Sequence, residues 1–410
     1  MKRAHRGMVL VVTALGISVC FSALAQDWPQ WRGPNRDGKA AGFNAPKSWP
    51  KELKQEWQTK VGSGDASPAC VGDRLYVFSN EGGGEVIRCL DAKTGKELWQ
   101  NKYEVPAVSG PDSGHGGPRS SPAVADGKVV TLGVNGTVSC LDAQSGKLLW
   151  RKNDFPDAWP KFHTATSPLV TGGMCITQLG KESEGAVVAY DLNTGDQKWK
   201  WADEGPGYAS PVLMTLNGTP MVVTLTSKSV VGIQPSDGKL LWKFAFAPQG
   251  MNYNAATPIV DGDKVIVSGQ GRGTKALKVA KEGDAYAAKE LWSNTDAAVQ
   301  FNTPVLVKGM LYGVSGKDVL FCINAEEGKT VWTAPAAGKR GFGSVVDAGS
   351  VLMSLTPNSQ LSVFAPSDKE FQQVANYKVS DGETYASPVP AGGGIYVKDK
   401  DSITLWKLES

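Results

Sequence analysis

Few side chains in this 410-residue sequence have a type and spacing that could do chemistry. Two histidines stand out: His115 in Gly114-His115-Gly116-Gly117-Pro118-Arg119, and His163 in Lys161-Phe162-His163-Thr164. Both precede a Ser-Pro pair. The same kind of pre-Ser/Thr-Pro stretch carries Asp65, Arg119, Tyr208, Asn252, Tyr253, Asn254, Gln300, Asn302, Arg340, Phe342 and Tyr385. Imidazoles, amides, guanidiniums and phenols gathered in one place could hold a metal, an anion or another polar ligand. The spacing matches no metal motif. Two loop histidines in contact with solvent or backbone are the alternative. No Ser-His-Asp set is visible from spacing, although such sets need not be adjacent in the chain.

Other signals dissolve on inspection. Gly328-Lys329-Thr330 suggests a phosphate loop, but Ile323 stands where the first glycine is required, and the context is a hairpin turn. Gly269-Gln270-Gly271-Arg272-Gly273 follows a strand and leads into no helix, so it reads as a loop. Asp261-Gly262-Asp263 is too short for a calcium loop.

What positions the candidates is a repeat. Leu90-Asp91-Ala92-Lys93-Thr94-Gly95-Lys96-Glu97-Leu98-Trp99 recurs as Leu141–Trp150, as Tyr190–Trp199, as Ser236–Trp242 and as Asn324–Trp332; Lys289–Trp292 keeps only its end. The Asp accepts backbone hydrogen bonds at the start of a turn, and the Gly takes a positive φ. A second marker precedes each copy: Ser67-Pro68, Ser121-Pro122, Ser167-Pro168, Ser210-Pro211, Thr257-Pro258, Thr303-Pro304 and Ser387-Pro388, with Gly343-Ser344-Val345 as a degraded form. Pro at the first residue of a strand is where a sheet tolerates it. Each unit therefore predicts four short strands, the Ser/Thr-Pro strand first and the Trp strand last. Such units build propeller blades.

Eight markers predict eight blades. The unit that starts at Ser387-Pro388 ends without a fourth strand, and Gln55–Val61 supplies it from the other end of the chain. The fold class expected is all-β, an eight-bladed propeller closed by an N-terminal strand in the last blade. Closure removes the free sheet edge. Trp57, Trp99, Trp150, Trp199, Trp242, Trp292 and Trp332 hold one repeat position, with Tyr377 as a substitute in the seventh unit, and read as packing between blades. A buried indole covers roughly 150–250 Å², worth at most roughly 4–6 kcal/mol. Cys89, Cys140 and Cys322 share another repeat position with Ala189, which marks a small buried site. Cys70 and Cys175 are also expected as thiols, although an oxidising compartment would favour disulfides.

The first 25 residues read as a signal peptide: Lys2, Arg3 and Arg6, an apolar Met8–Val19, then Ala23-Leu24-Ala25, with a cut near Ala25/Gln26. An uncleaved anchor is the alternative. Cys20 would suit a lipid anchor, but Val19 stands where a lipobox carries a small residue. No later stretch is long and apolar enough for a transmembrane helix. Losing the three leader cations takes 43 basic residues to 40, against 40 acidic ones. A formally neutral chain argues against nucleic acid as a partner. Residues 26–52 are expected to pack on the propeller through Trp28 and Trp31, and 53–410 to form it.

The repeated Tyr/Cys-x-Leu-Asp-Ala-x-Thr/Ser-Gly-Lys-x-Leu-Trp resembles the PQQ-like repeat of quinoprotein dehydrogenases, over about residues 53–410. The opening Trp28-Pro29-Gln30-Trp31-Arg32-Gly33 is similar to the start of secreted bacterial PQQ-like repeat proteins. The resemblance implies one of two things. One is a scaffold like the accessory propeller of the outer-membrane β-barrel assembly machinery. The other is an oxidoreductase holding PQQ and Ca²⁺. The chain lacks the adjacent-cysteine pair that such enzymes often carry. The reading is therefore a periplasmic or secreted, monomeric binding module without a cofactor, its partner an envelope or extracellular protein or a glycan. A PQQ–calcium dehydrogenase and a carbohydrate-binding propeller are the alternatives.

Overall fold

A computed structural model describes residues 27–40, 42–336 and 338–408. The expected leader, its cleavage site and Cys20 lie outside the described residues. The described chain forms 32 strands and a single 3-10 turn at Gly110–Asp112. The strands make eight four-stranded antiparallel sheets, seven of them in plain sequence order. We number these blades 1 to 7: 69–104, 123–152, 169–201, 212–245, 259–294, 305–335 and 344–378. Blade 8 holds three strands between 389 and 407, and Lys54–Lys60 pairs antiparallel with Ser402–Lys407 as its outer strand. The predicted closure is thus observed, with Trp57 opposite Leu405.

The repeat motif is the joint between neighbouring blades. The indole of Trp99 donates to Ala143 O, Trp150 to Leu192 O, Trp292 to Ala325 O and Trp332 to Ser367 O, each in the third-to-fourth-strand turn of the next blade. Trp57 closes the ring by donating to Ala92 O of blade 1. The ring lies flat on the turn glycine. A Cβ on Gly146 would come within 2.4 Å of Trp99, and one on Gly195 within 2.7 Å of Trp150. Glycine is therefore required twice, by contact and by φ of 72° and 74°. Within its own blade, Trp57 of blade 8 faces Leu405, whereas each Trp of blades 1 to 6 faces a small residue across the ladder: Cys89, Cys140, Ala189, Gly232, Ala276 or Cys322. That is why the position is small. All five described cysteines are buried free thiols.

Two joints depart from the pattern, and both have a physical reason. Blade 5 has no Asp-x-x-x-Gly turn, because its last two strands extend as a long hairpin, Gly273–Glu282 and Ala285–Asn294. Trp242 of blade 4 therefore has no turn to cap and donates to the Met221 sulfur. Tyr286 on the long hairpin reaches back to Thr219 instead. In blade 8 the chain is split where the turn would be. Tyr377 of blade 7 donates to Pro50 O and packs against Trp49, so the incoming segment substitutes for the turn.

Candidate functional site

Antiparallel order places the connections between blades, together with the second-to-third-strand turns, on one face of the ring. The inner strands line the axis, and their Ser/Thr-Pro starts lie at that face. The marker hydroxyls link neighbours. Ser67 Oγ accepts the Ser387 N–H, Ser167 Oγ that of Ser121, Ser210 Oγ that of Ser167, and Thr303 Oγ1 that of Thr257. This inner ring explains why the marker is a hydroxyl residue.

The axis is crossed by residues 27–40. Trp28 is 1% exposed and pairs with Cys70 on the inner strand of blade 1. Pro29 O accepts the Val124 N–H of blade 2, and Trp31 donates to Thr257 Oγ1 of blade 5. Lys39 pairs with Asp347 of blade 7. Two buried arginines then clasp opposite sides. Arg32 donates to Thr303 O and Pro304 O of blade 6, and Arg36 to Ser167 O and Pro168 O of blade 3. Both adopt a left-handed backbone, φ 59° and 58°, at a cost of about 1–2 kcal/mol each. Charge-assisted hydrogen bonds offset that cost. Burial lowers Arg32 to about 10 and Arg36 to about 9. Pro34 and Asn35, at the tip between them, are exposed. Sequence reasoning looked to Trp28 and Trp31 for anchorage; the arginines carry as much of it.

Above this segment the candidate residues divide into two groups. The first lies on the connections into blades 1, 2 and 3 and continues along those into blades 8, 7 and 6. His115 Nδ1 donates to Asp65 Oδ2 at 2.9 Å, since a carboxylate only accepts. That bond raises the His115 pKa. Arg119 donates to the His115 carbonyl at 3.0 Å and to Asp112 Oδ2 at 2.8 Å. Asp112 Oδ2 also takes His163 Nδ1 at 3.1 Å. His163 is buried and stacks on Trp159, centroids 5.5 Å apart. The two histidines thus bind different carboxylates, joined through Arg119. Asp112 is the hub, and no motif marks it in the sequence: it ends an irregular 3-10 turn. An aromatic row continues the group: His115 edge-on to Tyr385, Tyr385 to Phe342, and Phe342 stacked on Phe301 at 4.4 Å. Tyr385 is pushed up to about 12 by burial and by Glu383. Arg340 is exposed beside it.

The second group lines a cleft between the connections into blades 4 and 5, with Tyr208, Asn252, Tyr253 and Asn254. The remaining candidates serve the frame. Asn254 is 2% exposed, donates to Thr226 O and Phe246 O, and accepts from Arg272. Asn302 donates to Val314 O and Gly341 O. Gln300 is half-buried.

The fold resemblance raises PQQ with Ca²⁺, and the residues present do not fit that pair. Calcium takes six to eight oxygen ligands, several of them carboxylate. The mouth carboxylates Asp65 and Asp112 are already engaged by cationic or protonatable partners. Among the described residues no three His, Cys, Asp or Glu side chains converge on a metal-sized point. The cations buried on the axis are the guanidiniums of Arg32 and Arg36, each held by backbone carbonyls.

Residues 36–113 and 82–334 match the protein family described as outer membrane protein assembly factor BamB. The chain is 26% identical over 369 residues to the outer membrane protein assembly factor BamB of Burkholderia pseudomallei (strain K96243), covering 85% of this chain and 86% of that one. It is also 26% identical over 359 residues to quinohemoprotein alcohol dehydrogenase ADH IIB of Pseudomonas putida, covering 79% of this chain but 46% of that one. The chain therefore spans under half of that enzyme. Among solved structures, BamB from Moraxella catarrhalis superposes with a TM-score of 0.65 at 14% identity, over 87% of this chain and 98% of that one. A europium-containing methanol dehydrogenase superposes at 0.69 and 16% identity, over 91% and 89%. At such identities these two likenesses establish the propeller fold alone.

Proposed function

The chain belongs to the BamB family of PQQ-like propellers, and from that premise we propose that it is an exported binding scaffold of the cell envelope, serving outer-membrane protein assembly. The observation that carries this reading is the occupied axis. Residues 27–40 reach the inner strands of six blades, and Arg32 and Arg36 fill the axis with buried guanidiniums. A ring held shut in this way offers its loops, not its channel, to a partner. The mouth supports that role. Its aromatic row ends in the partly exposed Phe301, 38% exposed, and its charged groups are held in fixed positions by one another. Aromatic and arginine side chains on a rigid frame are what protein interfaces use most. No helix among the described residues is long and apolar enough to cross a membrane.

The test is cross-linked co-purification of the tagged, exported chain from its own envelope. The expected result is recovery of the β-barrel assembly machinery in near-stoichiometric amount, reduced at least about tenfold by Phe301→Ala with Phe342→Ala, since hot-spot truncations cost about 2 kcal/mol or more. Clean recovery of the chain alone, or of the same partner with wild-type and double variant alike, would sink the proposal.

A further inference from the structure

The cleft over blades 4 and 5 adjoins the mouth network, whose Asp112 and Arg119 act on Tyr208, and has a lining of its own. Its volume is about 380 Å³, within the range of small-molecule sites. One wall is an aromatic corner. Tyr208 and Tyr253 meet at 88° with centroids 5.7 Å apart, and Phe162 braces Tyr253 at 85° and 4.9 Å. Edge-to-face packing fixes the rings, each contact setting the edge of one ring against the face of the other. All three are only partly buried. The Phe162 N–H donates to the Tyr208 hydroxyl at 3.2 Å, which sets that ring's position. In the lining, Ser227 is 9% exposed and its buried hydroxyl has no hydrogen-bond partner. Lys161 and Lys228, both exposed, stand on the rim against one carboxylate, Glu182.

We propose that this cleft binds a saccharide carrying an acidic substituent. A pyranose presents a C–H face to an aromatic ring and hydroxyls at its edge. A hydroxyl from the sugar would meet Ser227 once that side chain turns toward the cleft, and would give its buried oxygen the partner it lacks. A flat apolar ligand would leave Ser227 unmet. The two rim lysines favour a carboxylate on the sugar.

The test uses the whole propeller, titrated calorimetrically with tetragalacturonate and, separately, with uncharged maltotetraose. Tetragalacturonate should bind with a Kd between about 10 μM and 1 mM, at least about tenfold tighter than maltotetraose. Tyr253→Ala and Ser227→Ala should each weaken it about tenfold or more. Lys161→Gln with Lys228→Gln should abolish the preference for the acidic sugar and leave the melting temperature in place. These lysines are exposed, so that variant keeps the test valid if Tyr253→Ala fails to fold. No binding of either sugar at about 10 mM, equal binding of the two, or binding unmoved by the lysine and serine variants would overturn the proposal.

Discussion

Asp65 and Asp112 each hold a histidine, and their surroundings give the two pairs different behaviour. His115 is partly exposed at the mouth, and its hydrogen bond to Asp65 raises its pKa. A raised histidine contributes stability that is fully present below its unfolded value of about 6.5 and is lost as pH rises through the folded midpoint. NMR titration should therefore give His115 a midpoint above about 6.5, and Asp65→Asn should bring it down. The melting-temperature gap between wild type and Asp65→Asn should shrink as pH climbs past that midpoint. A His115 midpoint at or below the ordinary value would contradict this account. Asp112 serves two cationic or protonatable partners, so Asp112→Asn should loosen the connection into blade 2 at neutral pH, read as faster amide exchange over residues 109–121. Both aspartates show what a linear reading reaches. Asp65, His115, Arg119, His163 and Tyr385 were legible because they stand just before a marker. Asp112 was not, because its role depends on a turn that brings it between chain segments 51 residues apart.

The joint between blades is where sequence and structure agree most closely, because it is local chemistry repeated. One motif contains the turn Asp, the positive-φ Gly and the Trp that covers the next blade's glycine. Its repetition, with the eight Ser/Thr-Pro-type markers that count the blades, showed the split last blade and a small buried repeat position, which the structure sets opposite the Trp of blades 1 to 6. Gly195→Ala should destabilise the protein, since the added methyl meets both a left-handed φ and the Trp150 indole. Trp150→Ala should cost about 3–5 kcal/mol by denaturant unfolding, the range for large buried aromatics. Trp242→Phe should cost less than Trp150→Phe. The Trp150 N–H reaches a backbone carbonyl, whereas that of Trp242 reaches only a thioether sulfur. Equal losses at the two sites would mean that the hydrogen bond to the next blade adds nothing. The long hairpin of blade 5 was legible only as a missing turn; where its excess length packs is decided by blade 4, which the repeat does not encode.

The molecule as a whole is a ring closed twice, at its rim by Lys54–Lys60 and on its axis by residues 27–40. The first closure was legible as a missing strand. The second was legible only as two tryptophans, because hydrogen bonds from Arg32 and Arg36 to carbonyls more than 130 residues away leave no spacing signal. Arg32→Ala with Arg36→Ala should lower the melting temperature and speed exchange of the inner strands of blades 3 and 6 ahead of the rest, because those strand starts lose charge-assisted partners. The central claim is that this ring is built to hold a partner at its face and not a quinone on its axis. Titrating the protein with PQQ and Ca²⁺, followed by gel filtration and absorbance, tests it most directly. The account predicts that the cofactor elutes apart from the protein and that no dye-linked alcohol oxidation appears. One PQQ retained per chain, with oxidation that calcium chelation abolishes, would contradict it.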